Sequence, residues 1–258
     1  MEWTYTLSGF AVGILVGLTG VGGGSLMTPL LVLLFGFSPA VAVGTDLLFA
    51  SITKMGGVWV HSRRGTIEWK VVGLLASGSI PAALLTLVLL SYLDVKQVNA
   101  LIVPLMGVAL LLTALALIFK SQLLKFSKQK ESLTASWRDR WLTPMTILLG
   151  FSLGFLVTLT SIGAGALGVV ALFILYPLIP TVKIVGTDIA HAVPLTLVAG
   201  LGHLQMGNVD FVLLGSLLLG SLPGIYLGSH LSVKIPEKVL RYILASMLVL
   251  IGIKFVTS

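Results

Sequence analysis

Two glycine-rich pentapeptides lie far from any charge: Gly20-Val21-Gly22-Gly23-Gly24 and Ser161-Ile162-Gly163-Ala164-Gly165. Glycines at that density disfavour a continuous helix, and they remove the side chains that would bar a ligand from the backbone. Where a helix restarts after such a break, its first N–H groups lack intrahelical partners and form the positive end of the helix dipole. Hydroxyl donors flank both breaks. A small oxyanion suits such N–H and O–H donors. The candidate binding set is therefore Thr19, Gly20, Gly22, Gly23, Gly24 and Ser25 in the first cluster, with Thr160, Ser161, Gly163 and Gly165 in the second. The plainer reading is close helix packing, which small residues also permit. A dinucleotide-binding glycine loop is excluded, because no strand–turn–helix context surrounds either cluster.

Ionisable residues inside apolar runs are the next candidates. Asp46, Lys54, Asp188 and His191 fall within such runs, where charge is costly and functional by default. Asp188 and His191 are three apart and share a helix face. Asp46 and Lys54 are eight apart, on roughly one side. They could form a proton relay, an ion-pair latch or a site for a coupling proton or Na+. A structural reading competes: Gly44-Thr45-Asp46 and Gly186-Thr187-Asp188 look like helix starts, with Thr capping and Asp in the first turn. Lys54 could also snorkel or neutralise an aspartate. His61 and His203 precede Gly65 and Gly207; they are gating candidates or parts of a turn. Pro81 and Pro223 each follow a Gly-Ser pair by one residue and are candidate hinges or fixed kinks. The four histidines have no metal-ligand spacing, the chain has no cysteine, and no P-loop or nucleophile–base set is present. No metal, no cofactor and no catalytic set are expected, and the protein is not read as an enzyme.

The elements that position these residues follow from composition. The chain has 258 residues, 57% hydrophobic and 10% charged. A soluble domain averages about 25% charged, so the composition specifies an all-α polytopic membrane protein. No basic n-region precedes the first apolar stretch, which is expected to remain in the mature protein. Four uncharged runs of 21–23 residues lie between Lys70 and Asp94, Lys96 and Lys120, Asp188 and Asp210, and Asp210 and Lys234. Each suits one crossing of a hydrocarbon core about 30 Å thick. Two runs are longer, 43 residues between Glu2 and Asp46 and 42 between Arg140 and Lys183. At about 1.5 Å per residue each is roughly twice too long for one crossing, so each is expected to bend back at its glycine cluster. The expected arms, about 7–19 and 25–35 in the first run, are half-bilayer pieces. The restarting half-helices are 25–35 and 166–176.

The halves also match each other. Residues 13–26 align with 154–167 at 8 of 14 positions, and Val43-Gly44-Thr45-Asp46 is repeated as Val185-Gly186-Thr187-Asp188. His61 then matches His203, Gly65 matches Gly207, Glu68 matches Asp210, and Gly78-Ser79-Ile80-Pro81 matches Gly220-Ser221-Leu222-Pro223. The expected organisation is repeat 1 over 1–119, a basic linker over 120–142, and repeat 2 over 143–258. With the linker cytoplasmic and each hairpin making no net crossing, 13 of the 16 Lys and Arg residues fall inside, as the positive-inside rule asks. Each repeat then has three spans plus a re-entrant hairpin, about six full spans and two hairpins, or eight spans if the first segments count. An odd number of crossings inverts one repeat relative to the other, the plan of secondary transporters. Both termini are then periplasmic. The +7 net charge becomes a topology signal, with no nucleic-acid partner implied.

The residues Val16 to Gly24, Pro29, Ala42 to Asp46, His61 and Gly65-Thr66-Ile67-Glu68-Trp69 resemble the sulfite exporter TauE/SafE family. The second half carries a weaker copy of the pattern, so the resemblance covers nearly the whole chain. It implies duplicated modules of membrane helices in the cell inner membrane that move sulfur-containing anions such as sulfite and organosulfonates. The expected function is export of such an anion by alternating access, without a cofactor. The alternatives are cation-coupled uptake of a similar anion and a non-transporting anion-binding membrane protein.

Overall fold

The computed structural model describes residues 3–19, 24–129, 135–232 and 237–257. Among the described residues there are ten helices and no strand. In chain order they are α1 (Trp3–Thr19), α2 (Gly24–Phe35), α3 (Pro39–Arg63), α4 (Trp69–Ser91) and α5 (Val95–Gln129), then α6 (Ala135–Thr160), α7 (Ala166–Leu175), α8 (Thr181–Gln205), α9 (Phe211–Ser232) and α10 (Glu237–Thr257). The second break, Ser161 to Gly165, lies where the glycines place it. Of the first glycine pentapeptide only Gly24 is described; residues 20–23, with Gly20, Gly22 and Gly23 among them, lie outside the described residues. The basic stretch 120–142 is helical on both flanks, as the end of α5 and the start of α6.

Among the described residues seven helices are long and apolar enough to cross a membrane. Six are α3, α4, α5, α8, α9 and α10. The seventh is the Trp141–Thr160 part of α6. The hairpin arms are therefore unequal. Only the returning arms, α2 and α7 at 12 and 10 residues, have the half-bilayer length expected of every arm.

Facing residues give the relative helix directions. Gly9 meets Leu217, Gly13 meets Ser221 and Gly17 meets Ile225, so α1 and α9 run parallel. Leu75 meets Gly150 and Ser79 meets Gly154, so α4 and α6 are parallel too. Leu48 faces Gly200, Ser51 bonds to Val193 and Gly57 faces Ile189, so α3 and α8 cross antiparallel. Gly107 against Val256 and Leu111 against Gly252 make α5 and α10 antiparallel. A short turn separates α8 from α9, which puts α9, α1 and α3 in one direction. Between α1 and α3, α2 must run back, and the same reasoning makes α6–α7 a hairpin. Matching contacts close the open end of each. Tyr5 packs edge-on against Phe35 at 5.2 Å, and the Thr146 and Tyr176 hydroxyls hydrogen-bond at 2.7 Å.

Glycine spacing explains the parallel pairs. Gly9, Gly13 and Gly17 form one stripe on α1, and Gly220, Gly224 and Gly228 form the facing stripe on α9. A Cβ at Gly9 would lie 2.7 Å from the Leu217 carbonyl oxygen, and one at Gly13 would lie 2.5 Å from that of Ser221. Such small-residue stripes let backbones approach where lipid supplies no hydrophobic drive between helices. In α4–α6, Gly78, Gly150 and Gly154 do the same.

The reading of Thr45 and Thr187 as helix caps is corrected. α3 begins six residues earlier at Pro39, where the Ser38 side chain accepts the Val41 N–H. α8 begins at Thr181 after Pro180. Asp46 and Asp188 thus lie past the first turn. A proline at the first helical position is already set to helical φ and has no N–H to leave unpaired. The Gly-Thr pairs act between the halves instead. Thr45 Oγ1 accepts the Asp210 N–H at 3.1 Å, and Thr187 Oγ1 accepts the Glu68 N–H at 3.0 Å. Gly44 and Gly186 leave room for the Asn208 and Thr66 carbonyls of the same turns.

Candidate functional site

The polar interior is built on α3 and α8. Asp46 is fully buried and accepts a hydrogen bond from the Thr28 hydroxyl of α2. Eight residues on, Lys54 points to the same side and donates from Nζ to the Ala164 carbonyl oxygen of the second hairpin tip at 2.7 Å. One hairpin therefore holds Asp46 and the other holds Lys54. Asp188 is buried against the Cα of Gly168 in the first turn of α7, and its Oδ1 has no hydrogen-bond partner. Any side chain at 168 would displace that carboxylate.

Beside Lys54 lies a cavity of about 360 Å³. Its walls include Val16 and Gly17 from the end of α1, Lys54 from α3, Gly165 and Ala166 at the start of α7, and Asp188 from α8. Lys120 of α5 lines it as well. No side chain caps α7, whose N-cap is Gly165 at φ +145°. The first N–H groups of α7 thus adjoin a cavity that also holds an ammonium group. The lining is mostly apolar, which strengthens the electrostatics of the few polar groups within it.

The tip of the second hairpin is tightly folded. Thr160 Oγ1 donates to the Leu156 carbonyl at 2.7 Å and accepts the Ile162 N–H at 3.1 Å. Its hydroxyl is used in closing the turn, so the tip offers a ligand one hydroxyl fewer than expected. Ser161 takes φ +59°, and its N–H reaches the Val157 carbonyl at 2.8 Å. Its hydroxyl lies beside the Asp46 carboxylate. Gly163 and Gly165 supply the remaining positive-φ positions of the turn. Ser25 is buried in α2. Thr19 closes α1, and its side chain lies outside the described residues.

The structure thus brings together Asp46, Lys54, Asp188, Ser161 and Gly165. His191 sits one layer away, with Nε2 2.8 Å from Ser79 Oγ of α4. It shares a helix with Asp188, but only Asp188 lines the cavity. His61 and His203 belong to mirrored turns. Thr66 N–H bonds back to the His61 carbonyl and Asn208 N–H to that of His203, closing around Gly65 and Gly207 at φ +62° and +76°. Their rings tie the turns down, His61 Nδ1 to Thr66 Oγ1 at 2.8 Å and His203 Nε2 to the Thr158 carbonyl at 2.9 Å. Pro81 and Pro223 lie inside the unbroken helices α4 and α9. Thr28, Ser79 and Gly168 were not legible as site residues. Each is a small residue in an apolar helix whose importance comes from its partner. Among the described residues no cluster of three or more His, Cys, Asp or Glu side chains is placed to hold a metal ion.

Comparison with known proteins agrees with this architecture. Residues 5–255 match the family described as Sulfite exporter TauE/SafE. The chain is 42% identical to the probable membrane transporter protein YjnA of Bacillus subtilis, over 99% of this chain and 100% of that protein. It is 30% identical to the probable membrane transporter protein YdhB of the same organism, over 90% of this chain and 91% of the relative. It is also 30% identical to the probable membrane transporter protein MJ0441 of Methanocaldococcus jannaschii, over 95% and 91% of the two chains. No solved structure matches. With ten helices among the described residues, seven of them long and apolar enough to cross a bilayer, the chain is a multi-pass membrane protein and belongs to the sulfite exporter TauE/SafE family of membrane transporters.

Proposed function

We propose that the protein is a secondary transporter exporting a small sulfur-containing oxyanion, sulfite or an organosulfonate, across the cell inner membrane. The observation that carries this reading is the cavity between the two hairpins, where Lys54 and the uncapped start of α7 face one space. An arriving anion would compete with the Ala164 carbonyl for the Lys54 ammonium and take N–H groups from α7. Of the candidate binding residues, Gly165 lines this cavity, with Lys54 as the charged member beside it.

The halves, 1–119 and 143–258 about a cytoplasmic linker at 120–142, are read as inverted repeats. The antiparallel crossings of α3 with α8 and of α5 with α10 support this, because each pair joins equivalent helices. Alternating access would come from one repeat rocking on the other, with Pro81 and Pro223 as candidate hinges. A negative-inside potential favours anion export by roughly 2.3 kcal/mol per charge per 100 mV. Sulfite-loaded proteoliposomes test the proposal: a potential negative inside should speed efflux, and Lys54→Gln should slow it at least tenfold. Wild-type protein giving no sulfite flux above empty liposomes would remove the reading.

A second reading, cation-coupled uptake, is favoured by a specific observation. Two buried carboxylates, Asp46 and Asp188, lie around Lys54, which is part-buried. Adding an anion to two carboxylates in a low-dielectric interior requires an accompanying positive charge. An imposed inward Na+ or proton gradient that drives sulfite accumulation in the same liposomes would favour uptake over export.

A further inference from the structure

Asp188 lines the same cavity as Lys54 and the start of α7. It is 1% exposed, and its Oδ1 is buried without a hydrogen-bond partner. That oxygen lies against Gly168 in the first turn of α7, 2.0 Å from where a Cβ at 168 would stand. The Gly168 and Val169 N–H groups bond back to the Gly163 and Gly165 carbonyls. Those of Ala166 and Leu167 have no partner among the described residues. A carboxylate is thus packed beside the positive end of a helix whose first donors are still open. It brings to that place the same sign of charge as an entering oxyanion.

The charged groups around Asp188 come from several elements. α3 supplies Lys54 on the cavity wall, Asp46 on the same side of that helix, and His61, whose ring lies against Gly186. α5 supplies Lys120, which lines the cavity and lies 5.8 Å from the Phe173 ring. α8 itself supplies His191, with Nε2 on Ser79 of α4. α7 and residues 141–160 of α6 contribute no ionisable side chain, and α4 has only Lys70, at its start. Two buried carboxylates therefore lie around the Lys54 ammonium, which offsets one of them. An anion added beside Asp188 meets a like charge in an apolar lining, which disfavours both. The start of α7 offers N–H groups and Lys54 an ammonium, surroundings that repel a metal cation. A proton removes the conflict with no new ligand: the Asp188 carboxylate takes H+ from water, and the resulting carboxyl keeps its place against Gly168.

We propose that Asp188 is a built-in negative charge of the anion cavity, and that an oxyanion binds there as Asp188 takes up one proton. Ionised Asp188 repels the anion and protonated Asp188 admits it. This coupling rests on the cation-coupled reading above; it names the cation as a proton and Asp188 as its carrier.

The test uses the purified full-length protein and methanesulfonate, which stays ionised at every working pH, so that any proton taken up belongs to the protein. Binding is followed by calorimetry in buffers of differing ionisation enthalpy and by infrared difference spectra. Affinity should fall as pH rises, approaching about tenfold per pH unit once the carboxyl is ionised, and on that limb binding should take up about one proton per anion. A protonated-carboxyl band should appear on binding; a lysine or histidine taking the proton would give none. Asp188→Asn should bind with an affinity nearly independent of pH and without proton uptake. Asp46→Asn should keep both the pH dependence and the band, and these two readings remain decisive if Asp188→Asn fails to fold. Binding that ignores pH, uptake without a carboxyl band, or uptake that persists in Asp188→Asn would each overturn the proposal and leave the cavity as the anion site. Binding of neither methanesulfonate nor sulfite would remove the cavity reading along with it.

Discussion

The Thr187 hydroxyl of α8 accepts the backbone N–H of Glu68, 119 residues away, at 3.0 Å. Its image is the Thr45 hydroxyl on the N–H of Asp210 at 3.1 Å. Each half thus satisfies the first orphan donor of a helix in the other half. The next residue, Asp188 or Asp46, faces that half's own returning arm. A Thr-Asp pair therefore sets the contact between the halves beside a buried carboxylate through adjacent residues. The images are not identical. Glu68 spends its side chain on Lys183 at 2.7 Å, whereas Asp210 caps its own helix through the Leu213 N–H at 2.9 Å.

Replacing Thr187 or Thr45 by valine keeps the shape and removes the acceptor. A buried N–H left without a partner costs about 1–3 kcal/mol. Both variants should lower the unfolding temperature in detergent by similar amounts. A double variant should lose roughly the sum, because the two turns share no partner. A neutral Thr45→Val would mean that water or another acceptor serves Asp210.

The glycines of α9 offer an internal contrast. A Cβ at Gly215 meets nothing within 4 Å, whereas one at Gly220 runs into the Thr6 carbonyl of α1. Gly215→Ala should be tolerated and even gain roughly 0.5–1 kcal/mol in helix propensity. Gly220→Ala must push α1 away and should reduce both folded yield and unfolding temperature. Equal behaviour of the two variants in size-exclusion profiles and thermal scans would contradict the close α1–α9 contact.

Much of this could be read from residues alone. Charge-free run lengths pointed to about six spans and two hairpins, because an uncompensated charge is expelled from hydrocarbon; among the described residues seven helices have spanning length. The position of Ser161 to Gly165 gave the second break, because glycine is the residue that tolerates it. The start of α3 was legible too, in Ser38-Pro39, yet the Gly-Thr-Asp motif looked like a stronger helix start. Its threonine bonds across 165 residues to Asp210, and no local rule reports such a partner. Lys54 on Ala164 is the same kind of fact. The stripes at Gly9, Gly13, Gly17 and at Gly220, Gly224, Gly228 were visible at four-residue spacing. Which stripe meets which is decided by the folded chain.

Lys54 is expected to be the least replaceable residue of the cavity. Lys54→Arg keeps the charge but needs a wider, planar site in place of the compact contact with Ala164. It should retain partial sulfite flux with a weaker apparent affinity. Lys54→Gln keeps a donor for the Ala164 carbonyl and removes the charge. It should fold normally and lose at least tenfold in flux. Full flux in Lys54→Gln would move the anion elsewhere in the protein.

The direction of the repeats is open to a chemical test, because the chain has no cysteine to remove first. Arg64 ends the turn after α3, and Gln205 ends the equivalent helix α8. If α3 and α8 are inverted copies, the two positions lie on opposite faces of the membrane. Arg64→Cys and Leu178→Cys should react with an impermeant maleimide only after the cells are opened, since the charge distribution puts both inside. Gln205→Cys and Tyr92→Cys, both at exposed positions, should react in intact cells. Parallel repeats predict that Arg64→Cys and Gln205→Cys label together. The antiparallel crossing of α3 and α8, with Leu48 facing Gly200, Ser51 bonded to Val193 and Gly57 facing Ile189, cannot accommodate that result.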